Sequence, residues 1–156
     1  MPGKLNVTTP SDCEIALERE FAAPRALVWD CHTKAELVRK WMLGPPGWTM
    51  PVCDIELRVG GKYRYVWAKD EKNMGMGGTF REVVAPEKLG TTELFDEDWT
   101  GGETIVTQTF EEKGGRTRRW MTLVYSSKKA RDGALASGMT GGMEAGRIQP
   151  GSRGAD

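Results

Sequence analysis

The 156-residue sequence contains one histidine and three cysteines. A single histidine excludes a histidine-based metal site, and any Ser-His-Asp triad would have to use His32, for which a surface or capping role is expected. Cys13, Cys31 and Cys53 are far apart and form no Cys-x-x-Cys pair, so we expect reduced cysteines and neither a zinc site nor a redox pair. The sequence therefore predicts no catalytic histidine, no metal and no cofactor.

No window approaches the roughly 20 continuous apolar residues that a membrane span needs. Residues 1–12 lack the apolar stretch of a signal peptide, so we expect a cytoplasmic protein without a membrane partner. The 22 basic side chains balance the 22 acidic ones. This balance provides no net field that would attract nucleic acid.

The first third of the chain predicts one strand and two short helices. Residues 14–21 alternate strictly between polar and apolar side chains, which is typical of a half-buried strand. Pro24 suits the first position of a helix over about 24–32. Thr33 and Glu36 have the spacing of a capping box and predict the start of a second helix.

From residue 50 to 125 the pattern has period two and predicts six further strands. The links between them are short and contain glycine or proline, which favours antiparallel neighbours. Counting 14–21, we expect a seven-stranded antiparallel sheet. The six predicted strands are 50–58, 62–68, 77–84, 88–95, 104–111 and 117–125.

A final helix is predicted after Ser126 or Ser127, where Leu135, Met139 and Met143 recur every fourth residue. This helix is best placed to cover the apolar face of the sheet, so the fold class is α+β. We expect a disordered lead at 1–13, one domain at 14–146 and a flexible tail at 147–156.

Several strings in this order resemble the START-like superfamily (SRPBCC, Bet v 1-like), in the branch related to the C-terminal domain of the Hsp90 ATPase activator Aha1. The resemblance covers about residues 14–146 and implies a helix-grip fold, in which the curved sheet wraps around the C-terminal helix. The strings are Phe21-Ala22-Ala23-Pro24 with Val28-Trp29, Lys40-Trp41, Gly44-Pro45-Pro46-Gly47-Trp48, Asp54 through Gly61-Lys62-Tyr63, Phe80-Arg81-Glu82-Val83 and Ser127-Lys128-Lys129-Ala130-Arg131-Asp132 with Ser137-Gly138-Met139.

The resemblance also implies a cavity between the last helix and the sheet, which in the superfamily holds lipids, polyketides and other apolar molecules. We therefore expect the chain to bind an apolar or amphipathic small molecule. One alternative is a module that contacts a chaperone through its surface. Another is a cavity enzyme such as a polyketide cyclase, with Tyr63, Tyr65 or Glu82 as acid or base.

The alternation of the predicted strands indicates which side chains would line this cavity, although the same side chains could also pack as a solid core. The predicted lining consists of Tyr63, Tyr65, Trp67, Val106, Phe110, Arg119, Met121, Leu123, Leu135, Met139 and Met143.

The same alternation places Arg19, Gln108 and Arg119 on the apolar face. A buried arginine is costly unless it is paired, so we expect a partner. Two interpretations stay open: an internal network with Glu82 or Glu93, or an Arg119 that binds the carboxylate of an amphipathic ligand. A last helix that is interrupted after residue 146 would leave one end of the cavity open. The apolar rim exposed there would favour a homodimer.

Overall fold

The computed structural model describes residues 5–43, 46–97 and 102–136. Their secondary structure is one antiparallel sheet of eight strands, in the order β1-β2-β8-β7-β6-β5-β4-β3, with three helices. In chain order the elements are β1 (Asn6–Thr8), β2 (Glu14–Phe21), α1 (Arg25–Thr33), α2 (Ala35–Trp41), β3 (Thr49–Ile55), β4 (Lys62–Lys69), β5 (Lys72–Val84), β6 (Lys88–Phe95), β7 (Thr104–Lys113), β8 (Arg116–Val124) and α3 (Lys128–Ala136).

The strands follow the predicted α+β architecture. β3 to β8 form a meander in which each strand pairs with the next, and β2 then pairs with β8. In β2 every second residue is buried, as the strict alternation of 14–21 predicted. The three helices contact the same side of the sheet, which we call the inner face.

The start of the chain differs from the expected disordered lead. β1 pairs with β2, with Val7 opposite Leu17, and Leu5 is buried among the side chains under α3. The sheet therefore has eight strands instead of seven. A strand of three residues is too short to show period two, and its pairing with the edge of β2 stabilises it.

The predicted capping box at the start of α2 does not form. α1 extends to Thr33, whose Oγ1 donates to the carbonyl oxygen of Trp29 at 2.9 Å. Lys34 then occupies the N-cap of α2 without a side-chain hydrogen bond. The hydroxyl that could have capped α2 is already used by the preceding helix.

Helices α1 and α2 cover one half of the inner face. Val28, Cys31 and Val38 are fully buried against the sheet. The indole Nε1 of Trp41 donates to the carbonyl oxygen of Cys31 at 2.6 Å, which fixes α2 to α1. The indole Nε1 of Trp67 donates to the carbonyl oxygen of Met42 at 2.8 Å, which fixes α2 to β4.

Helix α3 covers the other half of the inner face. The predicted cap is confirmed, because Ser127 Oγ accepts a hydrogen bond from the backbone N–H of Ala130 at 3.1 Å. Ala130 and Ala134 pack on β2 and β8, and these small side chains allow the helix to lie close to the sheet. The predicted tail at 147–156 lies outside the described residues.

Gly78 in β5 permits a contact between strands that are not neighbours. It lies opposite Tyr63 of β4, whose hydroxyl donates to the carbonyl oxygen of Thr92 in β6 at 2.6 Å. A Cβ at position 78 would overlap the oxygen of Thr92 and lie 2.9 Å from Cε1 of Tyr63. The ring of Tyr63 therefore crosses β5 where there is no side chain.

We predict that Gly78→Ala lowers the free energy of unfolding by about 2 kcal/mol, because backbone and ring must both move. The matched control is Gly133→Ala in α3, where an added Cβ meets nothing within 4 Å. That variant should gain up to about 1 kcal/mol from helix propensity. Urea unfolding measures both, and equal effects of the two substitutions would contradict the close approach at Gly78.

Candidate functional site

The inner face carries two apolar clusters with polar side chains between them. The first cluster lies under α1 and α2 and includes Phe21 and Phe110. The second lies under α3 and includes Leu17 and Val106. Between them, β2, β8 and β7 each contribute one polar residue to the row that we call the polar band: Arg19, Arg119 and Gln108.

The centre of the polar band is a pair of buried arginines. Arg19 on β2 lies directly opposite Arg119 on β8, and the two side chains are 2% and 3% exposed. Each guanidinium carbon lies 5.3 Å from the centre of the Phe21 ring. Burial, and then the charge of Arg19, lowers the pKa of Arg119 to about 10.

His32 of α1 completes the contacts of Arg119. Its Nε2 lies 3.0 Å from Nη1 of Arg119, and its Nδ1 lies 2.7 Å from the carbonyl oxygen of Val28. Because a guanidinium can only donate, Nε2 accepts and Nδ1–H donates to Val28. Burial, and then the charge of Arg119, lowers the pKa of His32 to about 3, so the ring is neutral.

The expected surface or capping role of His32 is wrong, since the side chain is 5% exposed. Its ring lies 5.1 Å from that of Phe110 and 4.9 Å from that of Trp41, measured between centres. The signal for burial was present in the sequence. His32 follows Val28 by four residues and therefore shares the buried stripe of α1.

The predicted network between the arginines and Glu82 or Glu93 is not found. Glu82 forms an exposed salt bridge with Lys88 at 3.1 Å. Burial raises the pKa of Glu93 to about 7, whereas a nearby arginine would lower it. Among the described residues no carboxylate forms a salt bridge with Arg119, and Nε of Arg119 and Oε1 of Gln108 have no hydrogen-bond partner.

Glu93 instead lies in a second polar group with three tyrosines, which we call the acid–tyrosine group: Glu93, Tyr63, Tyr65 and Tyr125. The rings of Tyr63 and Tyr65 are 5.2 Å apart. Burial raises the pKa of all three phenols, and the charge of Glu93 raises it further. Within the described parts of the chain, the Glu93 carboxyl makes no hydrogen bond.

The structure distributes the predicted cavity-lining residues over the two clusters. Trp67, Met121 and Leu135 are partly buried, and Met139 and Met143 lie outside the described residues. Arg119 lies between the clusters. The buried residues of the first cluster are Tyr63, Tyr65 and Phe110, and those of the second are Val106 and Leu123. The predicted lining omitted five further polar side chains: Arg19, His32, Gln108, Glu93 and Tyr125.

A surface depression of about 440 Å³ borders the acid–tyrosine group, because Tyr63 contributes to its lining together with Gly78 and Glu103. Arg64, Leu94 and Asp96 line it on the face of the sheet opposite to Tyr65 and Glu93. Arg64 and Asp96 neutralise each other through two hydrogen bonds of 2.9 and 2.7 Å. The depression is wide and open, so it offers a ligand little burial.

In the described ranges, no three His, Cys, Asp or Glu side chains gather closely enough to hold a metal ion. None of the described helices combines the length and the apolar character that a membrane crossing requires. The polar band and the acid–tyrosine group therefore form the candidate functional site.

Comparison with known proteins identifies relatives over most of the chain. The family model described as "Activator of Hsp90 ATPase homolog 1-like protein" matches residues 22–146. A crystal structure from Rhodobacter sphaeroides is 32% identical with a TM-score of 0.84, and the match covers 91% of this chain and 93% of that one. Protein Ms6760 from Mycobacterium smegmatis is 26% identical, with a TM-score of 0.78 and 90% of each chain covered. None of the curated proteins compared with the chain matches it.

The opposite pKa shifts of His32 and Glu93 predict a distinctive pH dependence of stability. A neutral His32 stabilises the fold fully above pH 6.5, and this contribution declines as the pH falls towards 3. A neutral Glu93 contributes fully below pH 4.5, and this contribution is lost as the pH rises through about 7. Between about pH 4.5 and 6.5 the two slopes cancel.

Single substitutions should separate the two slopes, measured by urea unfolding from pH 4.5 to 8. Glu93→Gln should leave a stability that falls as the pH drops below 6.5. His32→Gln should leave one that falls as the pH rises above 4.5. The slope of the free energy of unfolding against pH should approach about 1.4 kcal/mol per pH unit in each variant, which corresponds to one proton bound or released on unfolding. Flat profiles in both variants would show that neither group has a shifted pKa.

Proposed function

The chain belongs to the activator of Hsp90 ATPase homolog 1-like family, and on this premise we propose that it binds a small amphipathic acid, such as a fatty acid, between the inner face of its sheet and its last helix. The acidic group binds at Arg119, and the apolar part lies against the aromatic and aliphatic side chains beside the polar band.

The observation that carries this proposal is the set of contacts of Arg119. Its guanidinium contacts a neutral imidazole, an aromatic ring and a second arginine, and it forms no salt bridge with a carboxylate of the described residues. Removing a cation from water costs several kcal/mol, and these contacts offset only part of it. A ligand carboxylate would supply the charge and the acceptors that are missing, including one for Nε of Arg119.

The neighbouring residues favour an anion further. Arg19 adds a second positive charge on the opposing strand, and His32 is held neutral. Two closely spaced cations in a region of low dielectric attract an anion strongly. The polar band is therefore suited to a carboxylate and unsuited to a cationic ligand.

The inner face also offers an apolar surface to the rest of such a ligand. Trp67 and Met121 remain partly exposed on strands whose neighbouring side chains are buried. Methionine and tryptophan adapt to irregular apolar shapes, which suits a flexible chain. These two residues and the partly buried Leu135 of α3 are where we place the apolar part of the ligand.

We predict that Arg119→Gln weakens the binding of laurate about 10- to 100-fold, because a hydrogen bond to a charged group contributes about 1.5–3 kcal/mol. The binding of dodecanol, which has the same chain but no charge, should change less than threefold. Displacement of a fluorescent fatty acid measures both affinities.

The matched control is Arg118→Gln, because Arg118 is the next residue of β8 but forms exposed salt bridges with Glu18 and Glu20. It should leave both affinities unchanged. Equal losses of laurate and dodecanol in Arg119→Gln would contradict the proposal. If neither ligand binds the wild-type protein and it stimulates an Hsp90-type ATPase, the chaperone-interaction alternative gains instead.

A further inference from the structure

Gln108 lies on β7 at the boundary between the two apolar clusters. It is opposite Met121 of β8 on one side and Leu89 of β6 on the other. Its neighbours on the same face of β7 are Val106 and Phe110, two residues away in each direction. All four of these side chains are apolar, so none of them offers a proton to the oxygen of the Gln108 amide.

Arg119 is the polar one of the two diagonal neighbours that Gln108 has on β8. The strand register gives this relation, because Phe110 is opposite Arg119 and Met121 is opposite Gln108. Diagonal Cβ atoms of an antiparallel pair are at most about 7–8 Å apart, a distance that long side chains can span. Thr91, a diagonal neighbour on β6, is already engaged in a hydrogen bond with a tyrosine. Arg119 is therefore the side chain with which Gln108 can share a ligand.

Each of these two side chains has a buried atom without a hydrogen-bond partner in the described part of the chain. Nε of Arg119 is a donor, and Oε1 of Gln108 is an acceptor. The two atoms do not satisfy each other, so they are farther apart than a hydrogen bond. Nη1 of Arg119 is held by His32 at 3.0 Å, which restricts any turn of the guanidinium towards the amide. Because unpaired buried polar atoms are costly, the position between them suits a group that pairs with both.

The two unpaired atoms restrict the chemistry of that group. A ligand carboxylate at Arg119 supplies an acceptor for Nε, but it has no proton to donate to Oε1 of Gln108. Ketone, ester and ether oxygens also only accept hydrogen bonds. An ammonium group would donate, but the two arginines repel it. A hydroxyl group donates and carries no charge.

We propose that Gln108 accepts a hydrogen bond from a hydroxyl group of the ligand, close to the carboxylate that Arg119 binds. The ligand class is then a fatty acid with a hydroxyl on carbon 2 or carbon 3. The inference rests on the proposed function and deepens it, because the carboxylate at Arg119 fixes the end of the ligand that reaches Gln108. Gln108 thus determines the preference for hydroxy acids over plain fatty acids.

The test compares laurate with 2-hydroxylaurate, 3-hydroxylaurate and 12-hydroxylaurate at pH 7, where all four are ionised, by displacement of a fluorescent fatty acid. We expect at least one of the 2- and 3-hydroxy acids to bind about 3- to 10-fold more tightly than laurate, the usual effect of one neutral hydrogen bond. The 12-hydroxy acid should gain nothing, because its hydroxyl lies at the apolar end. Equal affinities for laurate and for both the 2- and 3-hydroxy acids would overturn the proposal, since a buried water only would then occupy the position.

Gln108→Met removes the acceptor and keeps the length of the side chain. It should bring the ratio of the hydroxy-acid affinity to the laurate affinity to about 1, while the laurate affinity changes less than about threefold. The matched control is Thr109→Val, because Thr109 is the next residue of β7 and lies on the opposite face of the sheet, across from Trp120. It should keep the wild-type ratio. A wild-type ratio in Gln108→Met would overturn the proposal.

Gln108→Glu tests the position of this side chain without a hydroxylated ligand. A carboxylate here would pair with Arg119 and compete with the carboxylate of the ligand. Laurate should therefore bind at least about tenfold more weakly, whereas dodecanol should be affected much less. An unchanged laurate affinity would show that the side chain at position 108 does not reach Arg119, and it would overturn the proposal.

The four ligands decide the matter on the unsubstituted protein if a variant does not fold. Binding of laurate without any preference for the 2- or 3-hydroxy acid would reject the role of Gln108 alone. Binding of none of the four acids would reject the proposed function too.

Discussion

Two arginine side chains, Arg19 on β2 and Arg119 on β8, face each other at the centre of the inner face, where water hardly reaches them. Both lie on the ring of Phe21, and His32 accepts a hydrogen bond from Arg119. Burying one such cation is costly, and burying a second beside it adds repulsion. The surrounding structure therefore has to reduce the free-energy cost of burying the two guanidinium groups.

Helix α1 reduces this cost by placing the neutral side chain of His32 beside Arg119. The carbonyl of Val28 holds the Nδ1 proton of His32, so Nε2 of the ring is an acceptor for Arg119. A protonated imidazole would lose this hydrogen bond and would add a third positive charge. The packing of Trp41 and Phe110 around the ring excludes water and keeps the neutral form. Helix α1 thus provides the polar band with an acceptor without providing a charge.

Glu93 shares the inner face with the arginines but forms no salt bridge with Arg119. The Glu93 carboxyl lies among three tyrosines, away from the arginines, and burial raises its pKa to about 7. The inner face therefore carries its buried arginines and its buried acid at separate places.

Much of the fold follows from local patterns, because period two identifies strands and short links make them antiparallel neighbours. The bounds of β2 and β6 agree with the predicted 14–21 and 88–95. β1 was not predicted, because a strand of three residues is too short to show a periodic pattern. The predicted capping box does not form, because the Thr33 hydroxyl donates a hydrogen bond within α1. Local pattern alone cannot decide such competition between helices.

The site was predictable in part. The alternation placed Arg19, Gln108 and Arg119 on the apolar face, and the structure places them there. Their separation from Glu93 was not predictable, because it depends on the strand register, which places Glu93 opposite Thr104 and Arg119 opposite Phe110 on β7. The burial of His32 required knowing which stripe of α1 faces the sheet. These are tertiary effects, and no short stretch of sequence records them.

The most direct test of the central claim is the state of a bound carboxyl group at Arg119. Laurate labelled with ¹³C at its carboxyl carbon is bound to the protein, and its chemical shift is followed by NMR while the pH is lowered. The account predicts a pKa well below the usual range of a carboxyl group, because two guanidinium groups stabilise the ionised form. A bound laurate whose pKa is normal or raised would contradict it, since that result would place the carboxyl away from the arginines.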